Sequence, residues 1–349
     1  MSGRLLRLVC TAAVAAHAAL VPATATAAPQ PEPNRDRGVA ELLTDLQRLY
    51  REAEKATETY NATEEKLRAQ RAEVERLDLA LARARLSLHD SRGAAGRLAR
   101  QQYQNTSTDI SPYVRLLLAG DPQHALDQGH VIGRLARERA ETVGRLTGTE
   151  RKAAELARKA RAALDTQLAL AERRKKQRDD VRRRLDDVGK LLASLTPAQL
   201  TALAAFEERG IEKAQRELVT SGALGDDAKP SARGDRALDY ALRQLGKPYE
   251  WGAEGPRTYD CSGLTSEAWA AAGVTIPRTS QEQWARLPRV PLTELRPGDL
   301  VIYHPDATHV AMYAGDGQVV HAPRTGEKIK LSPIAGNPIL GAVRPDSAR

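Results

Sequence analysis

Residues 260–264 read DCSGL, and this short stretch decides how the C-terminal third of the chain is interpreted. Cys261 is one of two cysteines in 349 residues, and the other, Cys10, lies in an apolar segment near the N-terminus. We expect a helix to begin at Cys261, where unpaired backbone N–H groups and the helix dipole favour a thiolate. The same N–H groups would lie where an oxyanion forms during acyl transfer. The stretch therefore predicts a nucleophilic cysteine.

Two histidines follow the cysteine at the ends of short β-rich runs. His309 opens one predicted strand and His321 closes the next, so adjacent strands would bring the two imidazoles into contact. His309 would serve as general base and acid for the Cys261 thiol, and His321 would hold the His309 ring in the productive tautomer. Adding His304 and Asp306 would make a metal site, which is the rival interpretation. The lone cysteine and the strand geometry argue against it, and no metal or cofactor is expected.

Residues 235–349 carry helix patterns first and strand patterns afterwards. Helices are predicted at 235–245, 261–273 and 279–286, and strands at 300–303, 309–313, 318–321 and 339–343. Turn signals such as Pro297-Gly298-Asp299 separate the strands. Helices followed by strands indicate an α+β domain.

The same region carries a series of short motifs around the predicted nucleophile. They are Gly246–Gly252 (GKPYEWG), Asp260–Leu264 (DCSGL), Ile276–Gln283 (IPRTSQEQ), Pro297–Leu300 (PGDL), His309–Gly315 (HVAMYAG) and His321–Pro323 (HAP). In order and spacing they resemble the NlpC-type, p60-like family of cell-wall cysteine endopeptidases. The resemblance implies a papain-like fold and a catalytic set of Cys261, His309 and His321. It also implies a peptidoglycan stem-peptide substrate, cut between D-glutamate and a diamino acid.

The resemblance further assigns residues to the substrate cleft. Tyr249 matches a family tyrosine that lines the site and assists the oxyanion. Asp260 and Ser262 match positions that hold the polar end of the substrate. Arg278 and Ser280 are also shared with the family, and we expect a structural role for both.

The N-terminal part shows a seven-residue repeat that starts at Val39. Its a positions are Val39, Leu46, Ala53, Tyr60, Leu67, Val74, Leu81 and Leu88. Five of the seven d positions are also apolar, and the exceptions are Thr63 and Gln70. A 3.5-residue period held over seven heptads predicts a coiled coil. The pattern fades at Gly93 and Gly96.

A second long helical stretch follows from Pro122 to about Leu195, and Thr196-Pro197 starts a last helical piece that reaches about Val219. Two long helices with a break between them predict an antiparallel hairpin, and a parallel dimer through the first helix is the alternative. The fold expected for the whole chain is an α+β papain-like NlpC-type catalytic domain preceded by a long α-helical coiled-coil hairpin.

The N-terminus has the features of a secretory signal peptide. Arg4 and Arg7 precede an apolar stretch, and the small residues 25–27 follow it. Cleavage after Ala27 would remove Cys10 and leave Cys261 without a disulfide partner, as expected of a reactive thiol. We therefore expect a secreted protein at the cell wall or surface of a bacterium.

The net charge of +8 is concentrated in the helical part of the chain. Thirteen basic and thirteen acidic residues follow position 234, so the C-terminal domain is neutral. The basic run at 173–184 is interpreted first as a solvated helix face. The more specific alternative is contact with an anionic membrane or wall polymer. An exported chain is not expected to bind nucleic acid.

Together these patterns predict a peptidoglycan endopeptidase. The expected segments are a signal peptide at 1–27, a flexible leader at 28–38, the coiled coil at 39–220, a flexible linker at 221–234 and the peptidase domain at 235–349. An amidase or acyltransferase using the same residues is one alternative, and a coiled-coil adaptor with an inactive domain is another. The coiled coil suggests docking to a membrane divisome or transporter complex, or masking of the active site.

Overall fold

The computed structural model describes residues 38–106, Val114, residues 122–225 and residues 228–346. The predicted signal peptide at 1–27 lies outside the described residues, as does the predicted leader except for Gly38. None of the helices in the described part combines the length and apolar character that a membrane span requires.

Two long helices make the N-terminal part, and a third connects them to the C-terminal domain. Their bounds are α1 Val39–Thr106, α2 Pro122–Ala193 and α3 Pro197–Thr220. Arg184 pairs with Glu52 at 2.8 Å, and Arg174 pairs with Glu64 at 3.0 Å. Residue numbers rise along one helix as they fall along the other, so α1 and α2 form an antiparallel hairpin.

The predicted heptad seam is the surface through which α1 packs on its neighbours. Near the start of α1, a buried cluster contains Leu42, Leu43, Leu46, Val188, Leu195 and Leu203. Farther along, Leu77 and Leu81 pack on Ala160 and Ala163 of α2. Burial of these side chains stabilises the hairpin by about 1.5–3 kcal/mol for each large aliphatic residue.

Helix α1 accommodates one polar residue in its seam and two glycines in its interior. The polar seam residue Gln70 donates a hydrogen bond to the Ala163 carbonyl of α2 at 2.9 Å, so its amide is satisfied inside the hairpin. The expected fading at Gly93 and Gly96 does not end the helix, which continues to Thr106. A glycine costs a helix interior only about 1 kcal/mol, which a helix this long tolerates.

The third helix begins where the sequence predicts it. Thr196 is the N-cap, its side chain accepts a hydrogen bond from the Gln199 N–H, and Pro197 occupies the first turn. The Gln199 side-chain oxygen accepts a hydrogen bond from the Thr196 N–H at 2.9 Å, which completes a capping box. This arrangement fixes the direction in which α3 leaves the hairpin towards the C-terminal domain.

The C-terminal domain has three helices followed by an antiparallel sheet. The helices are α4 Ala232–Leu242, α5 Cys261–Ala271 and α6 Ser280–Arg286. The strands are β1 Arg289–Val290, β2 Leu300–Tyr303, β3 His309–Gly315, β4 Gln318–His321, β5 Lys330–Pro333 and β6 Ile339–Val343. Their order in the sheet is β1-β6-β2-β3-β4-β5, and each neighbouring pair is antiparallel.

Both faces of this sheet are covered. On one face, α4 and α5 pack on Leu300, Ile302 and Met312. On the other face, Leu218 of α3 packs against a cluster that includes Val301. The alternation of side chains along each strand therefore supplies two apolar layers from four central strands. His309 and His321, at odd-numbered positions, lie on the face towards α3.

Two edge strands were missed in the sequence. β1 has two residues, and β5 reads Lys-Leu-Ser-Pro, which lacks the β-branched and alternating pattern of a central strand. Each pairs along a single neighbour, β6 for the first and β4 for the second. Edge strands tolerate polar residues and proline, so pairing with an existing sheet forms them in spite of their composition.

The predicted linker at 221–234 is shorter than expected and is partly packed. Ser231 caps α4 by accepting a hydrogen bond from the Gly234 N–H at 2.8 Å, so the helix begins at Ala232. Leu224 packs against the same sheet face as Leu218. Ser231, which was predicted to lie in the linker, is thus the N-cap of α4, and Leu224 packs the segment against the catalytic domain.

Replacing Leu46 with alanine tests the seam. Leu46 is 3% exposed, and its removal leaves a cavity between three helices. We expect the free energy of unfolding to fall by about 2–5 kcal/mol, measured by chemical denaturation followed by circular dichroism. The matched control is Leu79→Ala on the same helix, where the side chain is 60% exposed and the expected change is within about 0.5 kcal/mol. Equal losses in the two variants would contradict the packing.

Candidate active site

Cys261 is the first residue of α5, as the sequence predicts. Asp260 is the N-cap, and its carboxylate accepts a hydrogen bond from the Gly263 N–H at 2.6 Å. Aspartate is a favoured N-cap residue because it satisfies backbone donors that have no partner within the helix. The cap holds the Cys261 sulfur at the positive end of the helix dipole, and the residue is 3% exposed.

The two predicted histidines meet on neighbouring strands. His309 begins β3 and His321 ends β4, and their Nε2 and Nδ1 atoms are 2.9 Å apart. The backbone N–H of Val310 hydrogen-bonds to Cys261, which places the sulfur at the start of β3. The buried His309 Nδ1 has no hydrogen-bond partner within the described structure. The fold therefore places Cys261 against the residue that follows His309, holds the two histidines in contact and leaves one imidazole nitrogen without a hydrogen bond.

Burial keeps this group of side chains uncharged in the structure. Desolvation lowers the pKa of His309 well below its usual value and lowers that of His321 to about 4. The pKa of Cys261 is raised by burial and then by the charges of Glu58, Asp260 and Glu54. The site as folded thus holds a thiol beside a neutral imidazole.

The other residues of the rival metal interpretation lie between β2 and β3. His304 has a positive φ of 63°, and Asp306 lies 3.6 Å from the ammonium of Lys55 on α1. In the ranges that the structure describes, no three histidine, cysteine, aspartate or glutamate side chains are arranged to hold a metal ion.

The predicted substrate-binding residues line the same cleft. Tyr249 is 9% exposed, and burial raises its pKa well above the usual value, with a further increase from Cys261 when that residue is a thiolate, so the Tyr249 hydroxyl remains a hydrogen-bond donor. Ser262 follows the cysteine and is fully buried. Asp260 is also fully buried, and its second oxygen accepts a hydrogen bond from the Gly252 N–H at 2.9 Å.

Arg278, for which only a structural role is expected from its sequence context, connects these residues. Its guanidinium donates to both oxygens of Asp260, at 3.0 and 2.7 Å, and to the Ser262 hydroxyl at 2.8 Å. A third donor reaches Glu254 at 2.9 Å. This two-point pairing neutralises a carboxylate that is buried beside the nucleophile. Arg278 therefore fixes the geometry of the cleft as well as the fold around it.

An acidic residue of α1 enters the cleft. Glu58 is 2% exposed, and its carboxylate accepts hydrogen bonds from the Ser262 hydroxyl and the Ser280 N–H, both at 2.8 Å. The same carboxylate lies 3.9 Å from the Cys261 sulfur. Helix α1 thus places a carboxylate beside the predicted nucleophile.

Three further α1 residues contact the cleft around Glu58. The Asn61 amide donates to Asp260 Oδ2 at 3.0 Å, and the Tyr60 ring packs edge-on against Trp251 with centroids 5.2 Å apart. A Glu54 oxygen lies 3.9 Å from His309 Nδ1. One helix face therefore contacts the predicted nucleophile, the predicted base and the residues predicted to bind substrate.

The two glutamates have altered acidity in this position. Desolvation raises the pKa of Glu54 to about 8, with smaller and opposing effects from Arg324 and Glu58. Desolvation followed by the Asp260 charge raises the pKa of Glu58 to about 7. A carboxyl with a raised pKa stabilises this arrangement at low pH and loses that contribution as the pH rises through the raised value.

Three of the α1 residues in the cleft could not be identified from the sequence. Glu54, Glu58 and Asn61 occupy b, f and b positions of the heptads, which in a coiled coil face away from the seam. Charged and polar residues are expected there on a solvated surface. The heptad pattern carries no signal that would distinguish this stretch from other exposed turns of α1.

The helix-borne cysteine beside two strand-borne histidines defines an α+β domain of the papain-like class. Residues 246–342 match the model of the NlpC/P60 family. A Corynebacterium glutamicum (strain R) protein named probable endopeptidase is 40% identical over 128 residues, which are 36% of this chain and 61% of the relative. The probable endopeptidase p60 of Listeria seeligeri is 47% identical over 90 residues, covering 25% of this chain and 17% of the relative. Residues 246–342 of this chain are therefore an NlpC/P60 domain.

A solved structure from Mycobacterium tuberculosis is similar to the same region. It is described as a non-catalytic NlpC/p60 domain protein with an adaptation to peptidoglycan binding. The identity is 30%, the match covers 33% of this chain and 98% of that chain, and the TM-score is 0.30. The match to the first curated relative covers about three-fifths of that protein's length.

Replacing Glu58 with glutamine tests its electrostatic effect on the nucleophile. Above about pH 7 the Glu58 carboxylate is ionised and raises the pKa of the Cys261 thiol, so its removal should lower that pKa. We expect the pH profile of Cys261 alkylation by iodoacetamide in the full chain to shift to lower pH. Glu75→Gln, at an exposed position of the same helix, should leave the profile unchanged. Coincident profiles for Glu58→Gln and the parent would disprove the effect.

Proposed function

We propose that this protein is a secreted cysteine peptidase that cuts the stem peptides of peptidoglycan. The observation that carries the proposal is Cys261 at the start of α5 with the buried His309–His321 pair beside it. The relatives named probable endopeptidase support a peptidase of this kind.

The geometry supports hydrolysis through a thioester. His309 Nδ1 takes the proton of the Cys261 thiol as the sulfur bonds to the scissile carbonyl carbon. First-turn N–H groups of α5 and the Tyr249 hydroxyl are the donors for the resulting oxyanion. When the C–N bond breaks, His309 returns the proton to the leaving amine and a thioester remains. Water, deprotonated by His309, then releases the acid, and the proton returns to the sulfur.

The position of Glu58 supports a substrate with a carboxylate near the scissile bond. Its carboxylate is held by the Ser262 hydroxyl and the Ser280 N–H, next to the sulfur. A D-glutamate residue in a stem peptide carries a free carboxylate that would accept hydrogen bonds from these donors. We therefore propose cleavage between D-glutamate and the diamino acid.

We further propose that the coiled coil restrains the enzyme. Glu58 and Asn61 occupy groups that the substrate would use, and Glu54 lies beside the proton-accepting nitrogen of His309. The Arg324 guanidinium, which pairs with Glu207 of α3 and lies 4.6 Å from the Tyr50 ring centroid, anchors the helices beside the cleft. An endopeptidase that cuts the wall of its own cell needs such control.

Location and partners follow from the same proposal. The predicted signal peptide would export the protein to the cell wall or cell surface, where peptidoglycan is the partner. The end of the hairpin where Leu77 packs on Ala160 extends the coiled coil past the Arg68–Glu254 contact with the catalytic domain. This end is the part that we propose for docking to a membrane divisome or transporter complex.

One alternative has a specific observation in its favour. The Mycobacterium tuberculosis relative is described as non-catalytic and adapted to peptidoglycan binding, so a member of this family can be an adaptor. The presence of Cys261, His309 and His321 in one cluster favours catalysis for this chain. An amidase or an acyltransferase would use the same three residues on a different bond.

Digestion of purified peptidoglycan tests the reaction. The truncated chain should span residues 222–349, because Leu224 packs on the sheet and Ser231 caps α4. We expect it to release peptides that begin with the diamino acid and to leave D-glutamate at the new C-terminus, as identified by mass. Cys261→Ala should release none. Intact stem peptides would indicate an amidase, and no products from a folded wild-type domain would favour the adaptor.

Restraint of the enzyme by the coiled coil is tested by comparing how fast the full chain and its Glu58 and Glu75 variants digest peptidoglycan. Glu58→Arg removes the carboxylate and places a cation beside the buried Arg278, so the closed arrangement should be destabilised. We expect the full chain to digest peptidoglycan about tenfold faster with this change, which corresponds to about 1.4 kcal/mol. Glu75→Arg, exposed on the same helix, is the control and should have no effect. A truncated chain no more active than the full chain would rule out masking.

A further inference from the structure

The hydrogen-bonded chain at the active site continues beyond the second histidine. His321 Nδ1 contacts His309, and the other ring nitrogen, His321 Nε2, lies 3.0 Å from the Ser332 hydroxyl. Ser332 belongs to β5, the edge strand that the sequence did not predict. It pairs with Val319, two residues before His321, so the two side chains share a face of the sheet as diagonal neighbours.

The proton positions along this series of hydrogen bonds follow from the role of His309 as the base. A neutral imidazole carries one proton, and His309 Nδ1 must be free to accept the thiol proton, so its own proton lies on Nε2. That N–H donates to His321 Nδ1, which places the His321 proton on Nε2. The His321 N–H then needs an acceptor, and the Ser332 oxygen is the one within hydrogen-bond distance.

We propose that Ser332 is a positioning residue that accepts the His321 Nε2–H bond and thereby fixes the tautomers of both histidines. The proposal rests on the proposed function, in which His309 is the base. Without this acceptor, a proton on His321 Nδ1 would oppose the His309 N–H across 2.9 Å. His309 would then change to the tautomer with its proton on Nδ1, and it could no longer accept the thiol proton.

Charged neighbours do not replace the hydroxyl in this role. Lys330, Glu327 and Arg324 lie around His321 and act on it through their charges, while burial has the larger effect. These charges influence whether the imidazole is protonated. They do not select between the two nitrogens of the neutral ring, which is the state that burial favours. A hydrogen-bond acceptor at one nitrogen makes that selection directly.

The expected size of the effect follows from the surroundings of Ser332. The residue is partly exposed, and it lines a cavity of about 720 Å³ together with His321 and Tyr50. Water in such a space would restore some of the lost hydrogen bonding. We therefore expect a loss of about tenfold, the low end of the 10–100-fold range seen when the hydrogen-bond partner that orients a metal-binding histidine is removed.

A matched pair of substitutions isolates the hydroxyl. Ser332→Thr keeps it and Ser332→Val removes it, and both side chains have nearly the same shape and suit a strand. In the full chain, ¹⁵N NMR of the imidazoles should show His309 and His321 with protons on Nε2 in the parent and in Ser332→Thr. Signals are assigned with His309→Gln and His321→Gln. In Ser332→Val, both histidines should populate the tautomer with the proton on Nδ1. Unchanged tautomers in that variant would overturn the proposal.

Activity supplies a second readout, in full chains that also carry Glu58→Arg. We expect Ser332→Val to lower kcat about tenfold with little change in KM, and Ser332→Thr to restore it. Equal kcat values for the valine and threonine chains would also overturn the positioning role. If the chain truncated to residues 222–349 does not cut peptidoglycan, the proposed function fails, and the tautomer measurement still decides the role of Ser332.

Discussion

The buried carboxylate of Asp260 is the group on which the site depends. One oxygen accepts the Gly263 N–H and so starts α5 at the nucleophile, and both oxygens pair with Arg278. Such a buried ion pair is stable when its remaining hydrogen-bonding groups are satisfied. Removing either partner leaves the other charge buried and uncompensated, which costs about 3–5 kcal/mol of stability. Here Gly252 supplies the further donor to Asp260. The helix start, the arginine and the loop before the cysteine therefore form one rigid unit.

The residues of α1 that we propose to mask the active site bind to this unit and to the groups around it. Asn61 completes the donors around Asp260, and Glu58 accepts from the hydroxyl and N–H groups next to it. Two carboxyl groups buried beside a third acidic side chain are costly to ionise, which is why the pKa values of Glu54 and Glu58 rise to about 8 and about 7. Closing the cleft therefore takes up protons and opening it releases them. The closed arrangement is most favourable in acid and loses stability towards alkaline pH.

Much of the fold could be predicted because it depends on local patterns. The ranges 300–303, 318–321 and 339–343 are strands with the predicted bounds, since their apolar runs lie between turn residues. The heptads predicted the hairpin seam for the same reason. β5 and the α1 residues in the cleft could not be predicted in this way. Lys330–Pro333 is a strand because β4 offers a pairing edge, and Glu58 is buried because another domain covers an outward heptad position.

The packing of α1 also constrains how the cleft can open. Leu42 and Leu46 are buried against α2 and α3, so α1 cannot leave the cleft alone without exposing the cluster that holds the three helices together. The side chain of Gln215 on α3 bonds to the Gly317 carbonyl and the Ala335 N–H, which attaches the helices to the sheet. Opening by movement of the whole helical part, with the contacts of α1 and α3 to the catalytic domain broken together, is therefore favoured over local peeling of α1.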